Sequence, residues 1–344
     1  MEYVNDININ QAIIHVLDTN AEEPVLNEYS LELNEDVYKY IYKHVEKVLN
    51  DDDLQYGVFK HERNIVKELV QDYLNGTTYD LIGLSKKLAL QLFRIMKLNE
   101  LIPTGDLIVT SIFTDQGPMI GILKLDYIKN FTHEIQFIDD KIGINIVEQK
   151  AGLPSGKIIK AAFIKPIREN EVYNLMILNR QRPSKANDDN STSYFLNNFL
   201  GADIVTNERD STKNFMKYSE EWVRKSIVND AGKAEEIRTT IRDKLKDNDC
   251  LKIDEISEKC FKDDPVTKES FSTDLKMKLG ADEVAIDERY VNKKLKRTRL
   301  NIDKEIDLYI NADAYKDKSK FEIQRNGDGS INIVIKNVIN YIEK

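Results

Sequence analysis

Cysteine is scarce in this chain, which limits the metal sites and disulfides that it could form. The 344 residues include only Cys250 and Cys260, with nine residues between them. One pair at this spacing lacks the CxxC arrangement of a structural zinc site and cannot build a disulfide framework. The composition therefore predicts no metal and no cofactor, and it fits a reducing cytoplasm best.

Long apolar runs and targeting signals are also absent. No apolar stretch approaches the roughly 18 residues that a helix needs to cross a bilayer. The opening segment, Met1 to Asp6, lacks the basic region of a secretory signal. We therefore expect a soluble, intracellular protein with no membrane partner.

Signatures of common enzyme classes are missing as well. The chain has no GxGxxG or Walker loop for nucleotides and no GxSxG context around a serine. Its four histidines are scattered. His15 lies in an apolar run, where a core histidine that holds a hydrogen bond is the expected role. We expect a protein that is not an enzyme.

Positive charge is in deficit. Lysine and arginine number 50 against 59 aspartates and glutamates, which gives a net charge of −9 and a pI of about 5.2. An anionic body repels the phosphate backbone, so any contact with DNA has to come from a local basic patch or through another protein. With 41% hydrophobic residues the chain can still bury a sizeable core.

The first half of the chain combines short apolar strands with amphipathic helices. Strands are predicted at residues 7–17, 29–33, 105–113, 119–126, 144–148, 158–165 and 172–178, and helices after Asn34 and at residues 61–75 and 79–98. The turn at residues 115–118 joins two of the strands in a hairpin, which favours an antiparallel sheet. We predict an α+β fold with an N-terminal antiparallel sheet and packed helices.

One apolar helix links this half to a highly charged second half. Phe195, Leu196, Phe199 and Leu200 share one helical face, and Gly201 lies where such a helix would end. A buried packing helix is the expected role. The functional alternative makes the polar residues 207–213 a surface that meets a partner.

The second half is predicted to be helical from residue 203 to 247, with Ser211 as a cap and Gly232 as a break. A small α+β region follows, and it ends in a hairpin whose turn is Asn326-Gly327-Asp328-Gly329. We therefore divide the chain into an N-terminal α+β domain (1–183), a central helical segment (184–247) and a small C-terminal α+β domain (248–344).

Three short motifs carry a resemblance to a known family. The run from Phe195 to Ala202 resembles the Phe-x-x-Phe-Leu-Gly signature of bacterial nucleoid-associated proteins of the YejK/NdpA type. Residues 6–15 are similar to the start of that family, and residues 130–133 match a short family pattern. The resemblance implies a place in the nucleoid, association with double-stranded DNA, and partners such as the type II topoisomerases. A homo-oligomer is compatible with it.

A basic run near the C-terminus is the candidate DNA contact. It comprises Arg289, Lys293, Lys294, Lys296, Arg297 and Arg299, six cations within eleven residues. Such a run would bind the phosphates of a duplex without sequence choice. Tyr290 is its only aromatic residue, which argues against stacking with single strands. The alternative is a solvated segment that balances acidic neighbours.

Two other functions stay open at this point. Asp140, Glu148 and Lys150 resemble the spaced acid and Glu-x-Lys pattern of Mg²⁺-dependent restriction-like nucleases, in which carboxylates hold the metal and the lysine lies near the attacking water. Glu-x-Lys also arises by chance in a chain rich in both residues. The third possibility is a pure protein-interaction module in phage or plasmid conflict.

Overall fold

A computed structural model of the chain describes residues 3–127, 129–138, 141–150, 153, 158–180 and 194–342. The chain divides into two compact units, Glu2–Val205 and Thr206–Lys344. The division into three domains stays a prediction, because compactness alone does not show which segments fold independently.

A seven-stranded antiparallel sheet forms the centre of the first unit. The strands of this unit are β1 (Ile7–Leu17), β2 (Leu54–Phe59), β3 (Gly105–Thr114), β4 (Gly117–Asp126), β5 (Lys129–Ile138), β6 (Lys141–Lys150), β7 (Lys160–Ile164), β8 (Leu175–Asn179) and β9 (Ala202–Val205). The large sheet has the order β1-β3-β4-β7-β8-β2-β9, while β5 and β6 form a separate two-stranded sheet. The predicted hairpin is confirmed as β3 and β4, and its turn uses Gly117 at a φ of 96°.

Four helices belong to the first unit. They are α1 (Glu35–Leu49), α2 (Ile65–Leu74), α3 (Leu81–Lys97) and α4 (Tyr194–Leu200), the last of which is wound as a π-helix. Asn34, Asn64 and Asp80 cap the first three, each accepting a backbone N–H from the residue three positions on. The core joins residues of α2, α3 and α4 to residues of all seven strands. This burial holds the sheet and three of the helices together.

His15 has a structural role on β1, as predicted. Its Nδ1 accepts the Asn27 N–H at 3.0 Å, so Nε2 carries the proton and donates to Ser85 Oγ at 2.9 Å. Ser85 in turn donates to the Ile82 carbonyl at 2.9 Å. Burial, together with the charge of Lys86, lowers the pKa of His15 to about 4. The folded chain therefore favours the neutral form of the His15 imidazole.

The second unit has six helices and three small sheets among its described residues. The helices are α5 (Glu208–Ser226), α6 (Ala231–Asp247), α7 (Ile253–Cys260), α8 (Pro265–Leu279), α9 (Glu288–Lys294) and α10 (Ala312–Lys316). The strands are β10 (Cys250–Lys252), β11 (Glu283–Ala285), β12 (Arg297–Ile302), β13 (Ile306–Asn311), β14 (Phe321–Arg325) and β15 (Ile331–Ile335). Each successive pair of these strands forms a two-stranded antiparallel sheet.

An aromatic cluster lies in the core of the second unit. Trp222 meets the rings of Phe261 and Phe271 edge to face, at centroid distances of 5.4 and 5.0 Å. The Asn326-Gly327 hairpin is confirmed as β14 and β15, with Gly327 at a φ of 82°. The predicted α+β class is confirmed for the chain. In the described ranges, no helix combines the length and the apolar character needed to cross a bilayer.

Two predictions for the first unit are wrong: a strand at residues 29–33 and a helix that begins at residue 203. Residues 29–33 are not a strand; they contact β1 through the Leu31 N–H, which donates to the Ala12 carbonyl at 2.8 Å, and through Ser30 Oγ, which accepts from the Gln11 side chain. Residues 203–205 are not helical, because they belong to β9, which pairs with β2. Strand pairing over a long sequence distance decides this segment, and local periodicity does not report it.

The helix signals in the second unit were also partly misread. Asn207 caps α5 in place of Ser211, accepting the Asp210 N–H at 2.9 Å. Gly232 does not break the helical run but lies in the first turn of α6. The break falls at Asn229, whose φ of 63° is left-handed, a conformation that asparagine tolerates better than most residues.

Candidate nucleic-acid interface

The basic strip, defined as Arg289, Lys293, Lys294, Lys296, Arg297 and Arg299, runs from α9 into β12. All six residues are exposed. Arg289 and Lys293 lie one helical turn apart on the same side of α9. Arg297 and Arg299 share one face of β12 because they are two residues apart. The structure therefore forms two groups of cations, joined by Lys296.

Two arginines of the basic strip contact β13. Arg297 Nε donates to Asn311 Oδ1 at 3.0 Å. Arg299 donates twice to the Asp307 carboxylate, at 3.2 and 3.0 Å. These bonds raise the pKa of Arg299 and lower that of Asp307. Both groups are exposed, so water weakens the pair, and Arg299 can exchange the carboxylate for a phosphate.

The lysines of α9 contribute to the stability of their own helix. Lys293 and Lys294 stand in the last turn of α9, where cations complement the helix dipole. Lys294 Nζ lies 5.5 Å from the centre of the Tyr290 ring, and Tyr290 is only 6% exposed. The aromatic residue within the strip is thus unsuited to stacking with an unpaired base.

Charge is divided unequally between the two units. Residues 206–344 contain 29 lysines and arginines and 29 aspartates and glutamates, so the second unit is neutral with histidine uncharged. The net charge of −9 therefore lies entirely in residues 1–205. The basic strip belongs to the neutral unit, where its local field is not opposed by a net negative charge of the same unit.

An open groove of about 1070 Å³ lies within the second unit and includes one end of the basic strip. Residues of α5, α6, β12, β14 and β15 line it. Arg299 is one of its lining residues, with three arginines from the helices, Arg224, Arg238 and Arg242. Glu220, Glu235 and Asp303 line it as well, so the groove places further arginines beside the strip among acidic partners.

The helix arginines of this groove differ in their partners. Arg224 Nε and Arg238 Nε both donate to the Glu220 carboxylate, at 2.7 and 2.8 Å. Burial raises the pKa of Glu220, but the bonds from the two arginines outweigh this and lower it. The Arg242 guanidinium lies 4.6 Å from the centre of the Tyr315 ring. Sequence analysis missed Arg238 and Arg242, although their four-residue spacing on a helical face was a usable signal.

The Phe195 motif lies in the core of the first unit. Phe195, Phe199 and Leu200 are fully buried, and Leu196 packs against the same cluster. Gly201 ends the helix at a left-handed φ of 60°, as predicted. The buried packing helix is therefore the observed role of these residues.

The segment proposed as a partner surface, residues 207–213, is mostly covered. Arg209 and Thr212 are buried, and Asn207 serves as the cap of α5. Glu208 is the one residue of the seven that is exposed, and the other four are half-buried. The partner-surface interpretation of this segment stays a prediction.

The nuclease residues are only partly placed. Asp140 lies outside the described residues, Glu148 is exposed on β6 opposite Phe131, and Lys150 is the last residue of that strand. Within the described ranges, no group of three or more histidine, cysteine, aspartate or glutamate side chains could hold a metal ion. The nuclease interpretation stays a prediction.

Comparison with known proteins supports the motif resemblance. No curated protein matches the chain at a significant level. A family model described as nucleoid-associated protein YejK matches residues 13–343. That match covers nearly the whole chain, including the core helix and the basic strip. The chain therefore belongs to the family of the nucleoid-associated protein YejK.

Proposed function

We propose that this protein binds double-stranded DNA in the bacterial nucleoid, without sequence preference and without catalysis, through the basic strip. The observation that carries this proposal is the exposure of six cations on one continuous segment of an electrically neutral unit. Phosphate contacts of lysine and arginine supply most of the affinity of non-specific DNA binding. The chain belongs to a family of nucleoid-associated proteins, which supports a role for such binding in the nucleoid.

Arginine and lysine bind phosphate in different ways in this proposal. Arg297 and Arg299 lie on one strand face and present planar guanidinium groups, which can bind a phosphate with two hydrogen bonds. The lysines of α9 and Lys296 act as point charges beside them. Since Tyr290 is buried, the duplex is favoured over a single strand.

The anionic first unit favours a protein partner in addition to DNA. Its residues carry the whole net charge of −9, and an acidic surface complements the basic surface of an enzyme that handles DNA. We propose a type II topoisomerase as that partner, on the family resemblance. Co-sedimentation with a purified topoisomerase should occur at low salt and weaken as salt rises, while co-sedimentation that is unchanged by salt would contradict a charge-based contact.

A matched pair of variants tests the DNA proposal. The strip variant replaces Lys293, Lys294, Lys296 and Arg297 by alanine. The control variant replaces Lys39, Lys43, Lys47 and Arg94 by alanine. Like the strip variant, it removes three lysines and one arginine, here from exposed positions of α1 and α3. Both variants change the net charge of the chain by the same amount.

Fluorescence anisotropy with a random-sequence duplex then measures the affinity of each variant, and the comparison separates the effect of the strip from that of the net charge. We expect the strip variant to bind more weakly by more than about tenfold at moderate salt, and the control variant to bind nearly as the wild type does. Equal losses in both variants would show that only the global charge matters. No loss in the strip variant would place the DNA contact elsewhere.

A further inference from the structure

The hairpin of β5 and β6 exposes one apolar face. The register pairs His133 with Ile146, Ile135 with Ile144, and Phe137 with Ile142. Directly paired residues point to the same side of a two-stranded sheet, and so do residues two positions apart. The face therefore consists of Phe131, His133, Ile135, Phe137, Ile142, Ile144, Ile146 and Glu148, six of them large and apolar.

These six apolar residues are open to solvent in a single chain. Their exposed fractions run from 55% for Ile135 to 80% for Ile146. The opposite face is mainly polar, with Thr132, Glu134, Gln136 and Asn145, and Val147 is the large apolar residue among its described side chains. Most described residues of both faces are exposed, so the apolar side lacks cover from the described part of the chain as the polar side does.

An uncovered hairpin of this kind is not a stable final state. Two strands alone are marginal in water, and stability requires a third strand or packing of the apolar face. The β5–β6 pair is a sheet of its own, outside the seven-stranded sheet of the first unit. A partner that covers the apolar face would supply the missing packing.

We infer that the partner is a second copy of this chain, whose hairpin packs face to face against the first about a two-fold axis. The face is close to symmetric along its length, with Phe131 near the base, Phe137 near the tip and isoleucines between them. A two-fold axis that runs across the strands between the two faces lays the tip of one hairpin over the base of the other, and this face offers a phenylalanine at each end.

The size of the face fits this arrangement. Six side chains at these exposures amount to roughly 600–1,000 Å² of apolar surface per copy, taking about 150–250 Å² for each large side chain in full. A specific interface buries about 800 Å² per partner. The exposed apolar area of the hairpin face is therefore of the size that one partner contributes to a standard interface.

Charge favours a second copy over nucleic acid on this face. Residues 129–150 carry three lysines against four acidic residues, so the hairpin is close to neutral although its unit carries −9. The six apolar residues that make up most of the face carry no charge, and apolar side chains offer no contact to phosphates. A nearly neutral apolar face lets two anionic units approach each other where repulsion is least.

Analytical ultracentrifugation of the full chain and two variants tests the inference. Ile144→Lys places a charge on the apolar face, and Thr132→Lys adds the same charge to the opposite face of the same hairpin. Both positions are exposed in one chain, so neither substitution disturbs the core. We expect the wild type and Thr132→Lys to sediment at twice the 39.8 kDa of one chain at micromolar concentration. We expect Ile144→Lys to dimerise more weakly by tenfold or more.

Three results would overturn the inference: a wild type of 39.8 kDa at every concentration, an Ile144→Lys variant that dimerises as well as Thr132→Lys, or loss of the dimer in both variants. Hydrogen exchange of the β5 and β6 amides should also slow as wild-type concentration rises. The inference is independent of DNA binding, since the strip variant should still form the dimer.

Discussion

The two units of this chain differ in how they are built and in where their charge lies. The first unit has a seven-stranded sheet packed on three helices through one large core, and it carries the whole net charge of −9. The second unit has three two-stranded sheets on a smaller helical core, and its charges balance. The Phe195 motif lies in the first unit, and the candidate DNA contact lies in the second.

This contrast shows why the net charge of a whole chain is a poor guide to its partners. A value of −9 argues against binding to DNA when it is spread over all 344 residues. Divided by unit, the same charge leaves a neutral body around the basic strip. We therefore expect substitutions in the first unit to change stability and substitutions in the strip to change DNA binding.

The largest expected effect is the loss of a ring from the core of the first unit. Phe199 is fully buried in α4, so Phe199→Ala should lower the free energy of unfolding by about 3–5 kcal/mol. Phe113→Ala is the control, because Phe113 is 56% exposed on β3 and should cost less than about 1 kcal/mol. Circular dichroism during urea unfolding measures both.

The sole tryptophan makes this experiment report on each unit. Trp222 belongs to the second unit, so its fluorescence follows that unit alone, whereas circular dichroism follows both. If the units unfold independently, Phe199→Ala should shift the circular dichroism transition and leave the fluorescence transition in place. A matching shift in fluorescence would show that the two units unfold together.

The next effect depends on pH through His15. Its pKa is lowered to about 4 in the folded chain, while the unfolded chain has the ordinary value of 6.5. Between these values the unfolded state binds more protons, so the stability present above pH 6.5 is lost as pH falls towards 4. The loss amounts to about 3 kcal/mol.

A substitution isolates this contribution from that of His44, whose pKa burial and nearby lysines also lower. His15→Gln should destabilise the chain most at neutral pH and progressively less towards pH 4.5, because the variant has no proton to take up. A difference between the two proteins that stays constant over this range would show that His15 does not titrate as described.

A smaller effect is expected at the end of α4. Gly201 has a left-handed φ of 60°, and an added Cβ would lie 2.6 Å from Asn64 Nδ2, whose amide also bonds the Phe199 carbonyl at 3.2 Å. Gly201→Ala should therefore cost about 2 kcal/mol, from backbone strain plus displacement of Asn64.

Gly280→Ala separates the two causes. Gly280 ends α8 at a similar φ of 67°, but an added Cβ would meet no atom within 4 Å. We expect this variant to cost about 1 kcal/mol, from strain alone. Equal costs at the two glycines would show that the contact with Asn64 is unimportant.

The smallest expected effect on stability is at the Arg299–Asp307 pair. Both side chains are exposed, so Asp307→Asn should leave the unfolding transition unchanged within error. It should strengthen duplex binding on the order of twofold, since Arg299 is released and one repulsive charge is removed. Weaker binding by this variant would mean that Asp307 holds Arg299 in the productive position.

Local signals predicted much of this fold and less of its surface. The cap at Asn34, the turn that ends at Gly117 and the αL end at Gly201 depend on neighbouring residues, and all three are confirmed. β2 and β9 were not predicted, because these short strands exist by pairing with each other across more than a hundred residues.

The surface was harder to predict for the same reason. The alternation of Phe131, Ile135 and Phe137 was available along β5, yet only the pairing with β6 shows that both strands expose apolar residues on one side. The acidic partner of Arg299 likewise comes from the neighbouring strand. Sequence spacing reports which side chains share a face, but it does not report what stands opposite them.

The most direct test of DNA binding by the basic strip is the salt dependence of duplex affinity in the wild type, the strip variant and the control variant. Each phosphate contact contributes about −0.9 to the slope of log K against log salt concentration. We predict that the strip variant has a slope shallower than the wild type by about three to four, and that the control variant keeps the wild-type slope. Equal slopes in the wild type and the strip variant would contradict a duplex contact at these four residues.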